Sequence, residues 1–167
     1  MTPPDRDEYA ALVRAHHGRI LRLCQVLLSD PVEAEDAAQD VFVKAYQSLH
    51  RFQGDSSFLT WITRIAYNHC MDVLRKRSRQ KTESLEHLPE SLHPTTPMLR
   101  DDSARELLAS LRPDYKEILA LREVAGHSYE EIAALLKTSL DSVKAKLRRA
   151  RQELQEKARH FLGAKNV

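Results

Sequence analysis

SYEEIAALLKTSLDSVKAKLRRAR, residues Ser128 to Arg151, holds two helical patterns separated by a very short break. Ser128 stands three residues before Glu131, the spacing of a capping box in which hydroxyl and carboxylate satisfy each other's free backbone donors. Ile132, Leu135 and Leu136 then recur at helical spacing. After Lys137-Thr138-Ser139 a second helix begins, and Leu140, Val143, Leu147, Ala150 and Leu154 form one apolar stripe. At about 100° per residue, Ser142, Ala145 and Arg149 point away from that stripe, with Lys144, Lys146, Arg148 and Arg151 along its shoulders. This is the pattern of a helix-turn-helix, and its outer face suits a major groove, where Arg and Lys reach phosphates and base edges. The alternative is a surface helix with solvated charges. Seven basic residues against three acidic ones between Leu140 and His160, five of the bases within eight positions, favour nucleic acid.

Working outward, Asp101 to Leu111 and Pro113 to Ala125 read as two further helices, the second opened by Pro113 and closed by Gly126. Leu107, Leu108, Leu111, Ile118, Leu119 and Leu121 are the core expected beneath the helix-turn-helix. Between Thr82 and Arg100 the periodicity disappears and Pro89, Pro94 and Pro97 interrupt, which marks a linker. Fully extended, about 20 residues reach roughly 65 Å, close to two turns of duplex at about 34 Å each.

The N-terminal part carries three more helical patterns. Asp5 to Leu28 has a stripe of Tyr9, Leu12, Val13, His16, Ile20, Leu23, Cys24 and Leu27. Asp30 and Pro31 then offer an N-cap and a first helical position. From Val32 to Leu49, Ala34, Ala38, Val41, Ala45 and Leu49 share one side, and Glu33, Asp36, Gln39, Asp40 and Lys44 the other, with Phe42 and Tyr46 at the boundary. The helix dipole accounts for acids in a first turn, but Asp40 lies too far along. The face suits a basic partner; a merely solvated face is the alternative.

Phe52 to Ser57 reads as a turn, Gly54 taking positive φ and Ser56 or Ser57 capping the third helix. In that helix Phe58, Trp61, Ile62, Ile65, Ala66 and Val73 are expected to be buried, and Thr60, Thr63, Arg64, Tyr67, Asn68 and Met71 to face outward. It ends in Arg75, Lys76, Arg77, Arg79 and Lys81, with no acid among them. Aromatic and amide groups beside such a run supply the stacking, edge and phosphate contacts that single-stranded bases need.

The fold expected is therefore all-α. Four glycines in 167 residues and the absence of strict alternation argue against sheet. The net charge of +2 implies no uniform attraction to nucleic acid; the signal lies in its distribution. Cys24 and Cys70 sit in apolar helical patterns and read as buried thiols in a reducing cytosol. No apolar run is long enough for a signal peptide or a membrane span, so the chain is expected to be cytoplasmic. His16, His17 and Cys24 do not make a metal site, because adjacent histidines diverge on a helix and no fourth ligand follows. No catalytic constellation, phosphate-binding glycine loop or cofactor motif is present, so neither enzyme activity nor a small-molecule substrate is expected. A dimeric helix-turn-helix regulator would account for the C-terminal part without the acidic helix or the aromatic turn.

AEDAAQDVFVKAYQSLHRFQGDSSFLTWITRIAYNHCMDVLRKR resembles region 2 of the extracytoplasmic-function sigma factors, and LRPDYKEILALREVAGHSYEEIAALLKTSLDSVKAKLRRAR resembles their region 4. The resemblance implies two small helical domains, a region 2 three-helix-type bundle over residues 1–81 and a region 4 helix-turn-helix bundle over 101–167, joined by a flexible linker at 82–100. It implies that Asp36, Gln39, Asp40, Phe42 and Lys44 bind the clamp helices of the largest subunit of core RNA polymerase, while region 4 meets the flap. The turn, with Phe52, Gly54, Asp55, Ser56 and Ser57, would capture a flipped base of the −10 element, beside Trp61, Arg64, Tyr67 and Asn68; Arg75 and Arg77 would grip its backbone. Lys144, Ala145, Lys146, Arg148 and Arg149 fall where the family reads −35, and Ser142 and Arg151 flank them on the same face. An anti-sigma factor, commonly membrane-anchored, is the further partner implied, and would hold the chain at the inner membrane face. One departure stands out. The family commonly has Gly where this chain has Lys137, and Gly-Thr where it has Asp141-Ser142. A lysine in the left-handed region costs about 1 kcal/mol.

Overall fold

The computed structural model describes residues 2–83 and 102–165. Among them there is no strand, and the chain divides into two compact units. The expected linker falls almost wholly outside the described residues, except that helix continues through Thr82 and Glu83.

The first unit is three mutually packed helices, α1 (Arg6–Leu28), α2 (Pro31–Gln47) and α3 (Phe58–Glu83). Asp5 caps α1 in a reciprocal box with Glu8, the same three-residue spacing that Ser128 and Glu131 show. Ser29 turns the chain at φ 60°, and Asp30 then caps α2 through its carboxylate with Pro31 at the first position, as expected. The α2 pattern stops at Gln47, and Leu49–Arg51 form a separate 3₁₀ turn. Ile20, Leu23, Cys24, Ala34, Val41, Ala45, Ile62, Ala66 and Cys70 make the core. Cys24 and Cys70 are both free and buried. The hydrogen bond between the two thiols, with burial, pushes that of Cys70 well above its ordinary range.

In the second unit, α4 (Asp102–Ala109) and α5 (Pro113–Leu119) precede the helix-turn-helix formed by α6 (Tyr129–Leu136) and α7 (Leu140–Lys165). The helix expected to run to Ala125 changes pitch: Ala120–Val124 is a π turn, with Ala125 N–H donating to Ala120 O at 2.9 Å. Gly126 closes it at φ 76°. Leu111, Ile118, Leu119, Leu121, Ile132, Val143 and Leu147 are buried, but Leu107 and Leu108 only half so, because short α4 packs chiefly against α7.

Candidate nucleic-acid interface

The helix-turn-helix is built as its sequence specifies. Ser128 Oγ accepts from Glu131 N–H at 3.1 Å, and Glu131 Oε2 accepts from Ser128 N–H at 2.8 Å. Lys137 ends α6 at φ 53°, ψ 49°, the left-handed conformation that a Gly-for-Lys exchange there would imply. Ser139 Oγ then accepts from Ser142 N–H at 3.1 Å and opens α7. With Val143, Leu147 and Ala150 buried, the remaining faces of α7 look outward.

The structure sorts the bases of that helix by whether they are already engaged. Arg151 donates to Glu123 at 2.8 Å, and that hydrogen bond is the main cause of its raised pKa. Lys146 stands 3.9 Å from Asp114. Lys144, Arg148 and Arg149 are exposed and form no ion pair among the described residues. Ser142 is exposed, though its hydroxyl is 3.0 Å from that of Ser139, and Ala145 is half-buried. The first turns of α7 thus offer three open cations.

In the first unit Gly54 turns the chain at φ 75°, and Ser57, not Ser56, caps α3 by accepting from Thr60 N–H at 3.1 Å. Phe52, Phe58 and Trp61 form an aromatic triangle with centroids 5.2 to 5.9 Å apart. Phe58 is buried and serves as its base, while Phe52 and Trp61 are half-exposed. Asp55, Ser57 and Asn68 are exposed, and Ser56 and Arg64 half-buried. An aromatic platform beside exposed polar groups can stack a base and bond its edge.

Several side chains depart from expectation. Trp61, Ile65 and Val73, expected to be buried, are only half so. Thr63 and Tyr67 were expected to face outward, but both are buried: the stripe of α3 runs Phe58, Ile62, Ala66, Cys70 with Thr63 and Tyr67 beside it. Thr63 can be so because its hydroxyl donates back to Leu59 O at 2.7 Å. Phe42 is only 8% exposed, its ring stacked on His17 at 5.9 Å and its carbonyl accepting from Tyr9 Oη at 2.5 Å. Arg77 pairs with Glu33 and donates to Leu28 O, which ties the end of α3 to α1 and α2. Arg75 pairs with Asp72 one turn away, both exposed, a contact worth little and easily given up.

The acidic face of α2 is open: Asp36, Gln39, Asp40 and Lys44 are exposed. Val43, 55% exposed, and Tyr46 join them and replace Phe42 as its apolar members. Val43 lies one turn beyond Gln39 and Asp40, so helical spacing alone could have found it. Among the described residues no group of three His, Cys, Asp or Glu side chains could hold a metal ion, and no helix is long and apolar enough to cross a membrane.

These two surfaces coincide with two family models. Sigma-70 region 2 matches residues 12–80, and Sigma-70 region 4 matches 101–154. The chain is 32% identical to the RNA polymerase sigma-H factor of Pseudomonas aeruginosa, covering 91% of this chain and 86% of that one. The chain belongs to the sigma-70 family, in its extracytoplasmic-function branch. The sigma-E factor of Escherichia coli K12 is likewise 32% identical, over 78% of this chain and 76% of that protein. Among solved structures, the sigma factor RpoE of Bartonella quintana, in complex with the anti-sigma factor NepR, superposes with a TM-score of 0.76 at 26% identity, covering 92% of this chain and 98% of that one. CnrH, in complex with the cytosolic domain of CnrY, gives 0.66 at 25%, covering 91% and 88%. This sigma factor is a promoter-specificity subunit, with core RNA polymerase and promoter DNA as its partners. A dimeric helix-turn-helix regulator would leave α1 to α3 unexplained.

Proposed function

We propose that the two units divide promoter recognition by their open charges. The carboxylates of α2, Asp36 and Asp40 with Gln39, Val43 and Lys44 around them, dock on the clamp helices of the polymerase's largest subunit. The turn from Phe52 to Ser57 and the exposed edge of α3, with Trp61, Arg64 and Asn68, capture an unpaired −10 base. Base flipping costs a few kcal/mol, which stacking and edge hydrogen bonds offset without covalent chemistry. Lys144, Arg148 and Arg149 on α7 read −35, beside the flap. The observation that carries this reading is that α7 has cations with no internal partner among the described residues while α2 has exposed carboxylates. An anti-sigma factor, the partner named for the Bartonella quintana relative, holds the protein idle, at the membrane face if it is anchored there, and otherwise the protein acts in the cytoplasm with the polymerase.

Run-off transcription with purified core polymerase on promoters of its own genome tests the whole. Initiation is expected only when the protein is added. Arg149→Ala should weaken −35 binding and leave core affinity intact, and Asp40→Ala should do the reverse. Equal loss in both measurements would show that the units do not divide the task.

A further inference from the structure

α3 meets the docking face of α2 at a point that promoter recognition leaves unused. His69 Nδ1 lies 2.8 Å from Lys44 Nζ, and His69 Nε2 lies 3.6 Å from Asp40 Oδ2. An ammonium only donates, so Nδ1 is the acceptor and the ring carries its proton on Nε2. That proton faces the Asp40 carboxylate, beyond an ordinary hydrogen bond but within reach of the charge. The imidazole is 11% exposed and Asp40 64% exposed. A nearly covered ring therefore stands between a cation and an anion four residues apart on the neighbouring helix.

That placement matters because an Asp and a Lys at this spacing attract one another across a helical turn. Lys44 donates to the ring instead, and the Asp40 carboxylate stays open to solvent. We propose that His69 is a positioning residue for polymerase docking: its neutral ring holds Lys44 off Asp40 and keeps that carboxylate available to a basic surface of the partner. This rests on the reading that α2 is the docking face.

A protonated ring could not do the same. It would set two cations 2.8 Å apart, release Lys44 toward Asp40 and itself pair with that carboxylate. Burial first, then Lys44, lowers the His69 pKa below its ordinary 6.5, against the opposing pull of Asp40 from α2 and Asp72 from α3; no charge from α1 acts on the ring among the described residues. The ring is thus neutral at pH 7 and gains its proton only as pH falls below about 6.5. Docking should be flat above that pH and weaken below it.

The test is the affinity of the full chain for core polymerase between pH 5.5 and 8, for the wild type, His69→Ala, His69→Asn, Asp40→Ala and the double variant with His69→Ala. Asn places an oxygen near Nδ1, where it can accept from Lys44 and does not titrate. The wild type should lose affinity on acidification, and His69→Asn should hold its neutral-pH affinity and lose the acid fall. His69→Ala should weaken docking about twofold at pH 7.5, the worth of the helical Asp–Lys pair it releases, and add nothing once Asp40 is Ala. Equal losses from His69→Ala in both backgrounds, or an acid fall that survives in His69→Asn, would overturn the proposal. An Asp40→Ala protein with unchanged affinity would instead overturn the docking assignment beneath it. The fluorescence of Trp61, which lies on the same helix as His69, checks that the first unit of each variant is folded.

Discussion

Replacing Lys137 by glycine should stabilise the second unit. Lys137 sits at φ 53°, ψ 49°, where its Cβ crowds the following carbonyl, and its side chain is exposed. A non-glycine residue in this region costs roughly 1–2 kcal/mol. Glycine removes that strain but gives the unfolded chain more freedom, which offsets about 0.4–1 kcal/mol. The net gain is about 0.5–1 kcal/mol. A unit of about 65 residues unfolds with an entropy of about 0.14 kcal/mol/K, so its midpoint should rise by about 4–7 °C. The assay is thermal unfolding of the full chain followed by far-ultraviolet circular dichroism. Trp61, the only tryptophan, lies in the first unit, so its fluorescence reports that unit as an internal control and should not move. Lys137→Ala keeps a Cβ in the same conformation and should gain nothing. If alanine stabilised as much as glycine, or glycine destabilised, no strain would be stored at this turn and the gain would have to come from elsewhere.

Particular contacts set three other outcomes. Ser128→Ala removes half of the capping box and should cost about 1 kcal/mol in denaturant titration of the second unit. Burial pushes the Tyr9 phenol up to about 12 from 10.0, so the stability it contributes is whole below pH 10 and lost as pH rises toward 12; Tyr9→Phe should flatten that part of the pH–stability curve, and an unchanged curve would show that the phenol is not the group responsible. Arg149→Ala should reduce the slope of log K against log salt for a −35 duplex by about 0.9, the value per phosphate contact. Removing Arg151 and Glu123 together should leave that slope nearly unchanged, because the pair is already neutral.

The parts legible in the sequence were those set by local rules. The caps at Ser128 and Asp30, the turn at Gly54, the break after Leu136 and the stripe of α7 each depend on residues within a few positions of one another. The left-handed Lys137 was legible for a different reason: the resemblance placed a glycine there, and a glycine marks a backbone conformation before it marks a side chain. What could not be read depended on distant partners or on polar groups satisfied out of sight. Thr63 looks like a solvent residue until its hydroxyl is seen to close on the carbonyl of Leu59. Arg77 looks like one more base in a run, but a carboxylate 44 positions earlier, Glu33, holds it. The π turn at Ala120–Val124 adds a residue to one turn of an otherwise regular pattern, and no apolar spacing announces it.

The same distinction separates a charge count from an interface. In sequence, Arg75, Arg77, Arg149 and Arg151 are equivalent members of two basic runs. In the structure Arg77 ties helices together, Arg151 anchors α7 to Glu123, Arg75 has a weak exposed partner, and Arg149 has none among the described residues. Only the last can meet a phosphate without first losing an internal contact, so it gives the most binding energy per charge. Arg77 and Arg151 must first give up an internal ion pair, whereas the exposed pair of Arg75 is given up at little cost. On the proposed division of sites, a net charge of only +2 is enough to meet a polyanion with one unit and a basic polymerase surface with the other, because folding decides which charges are left over.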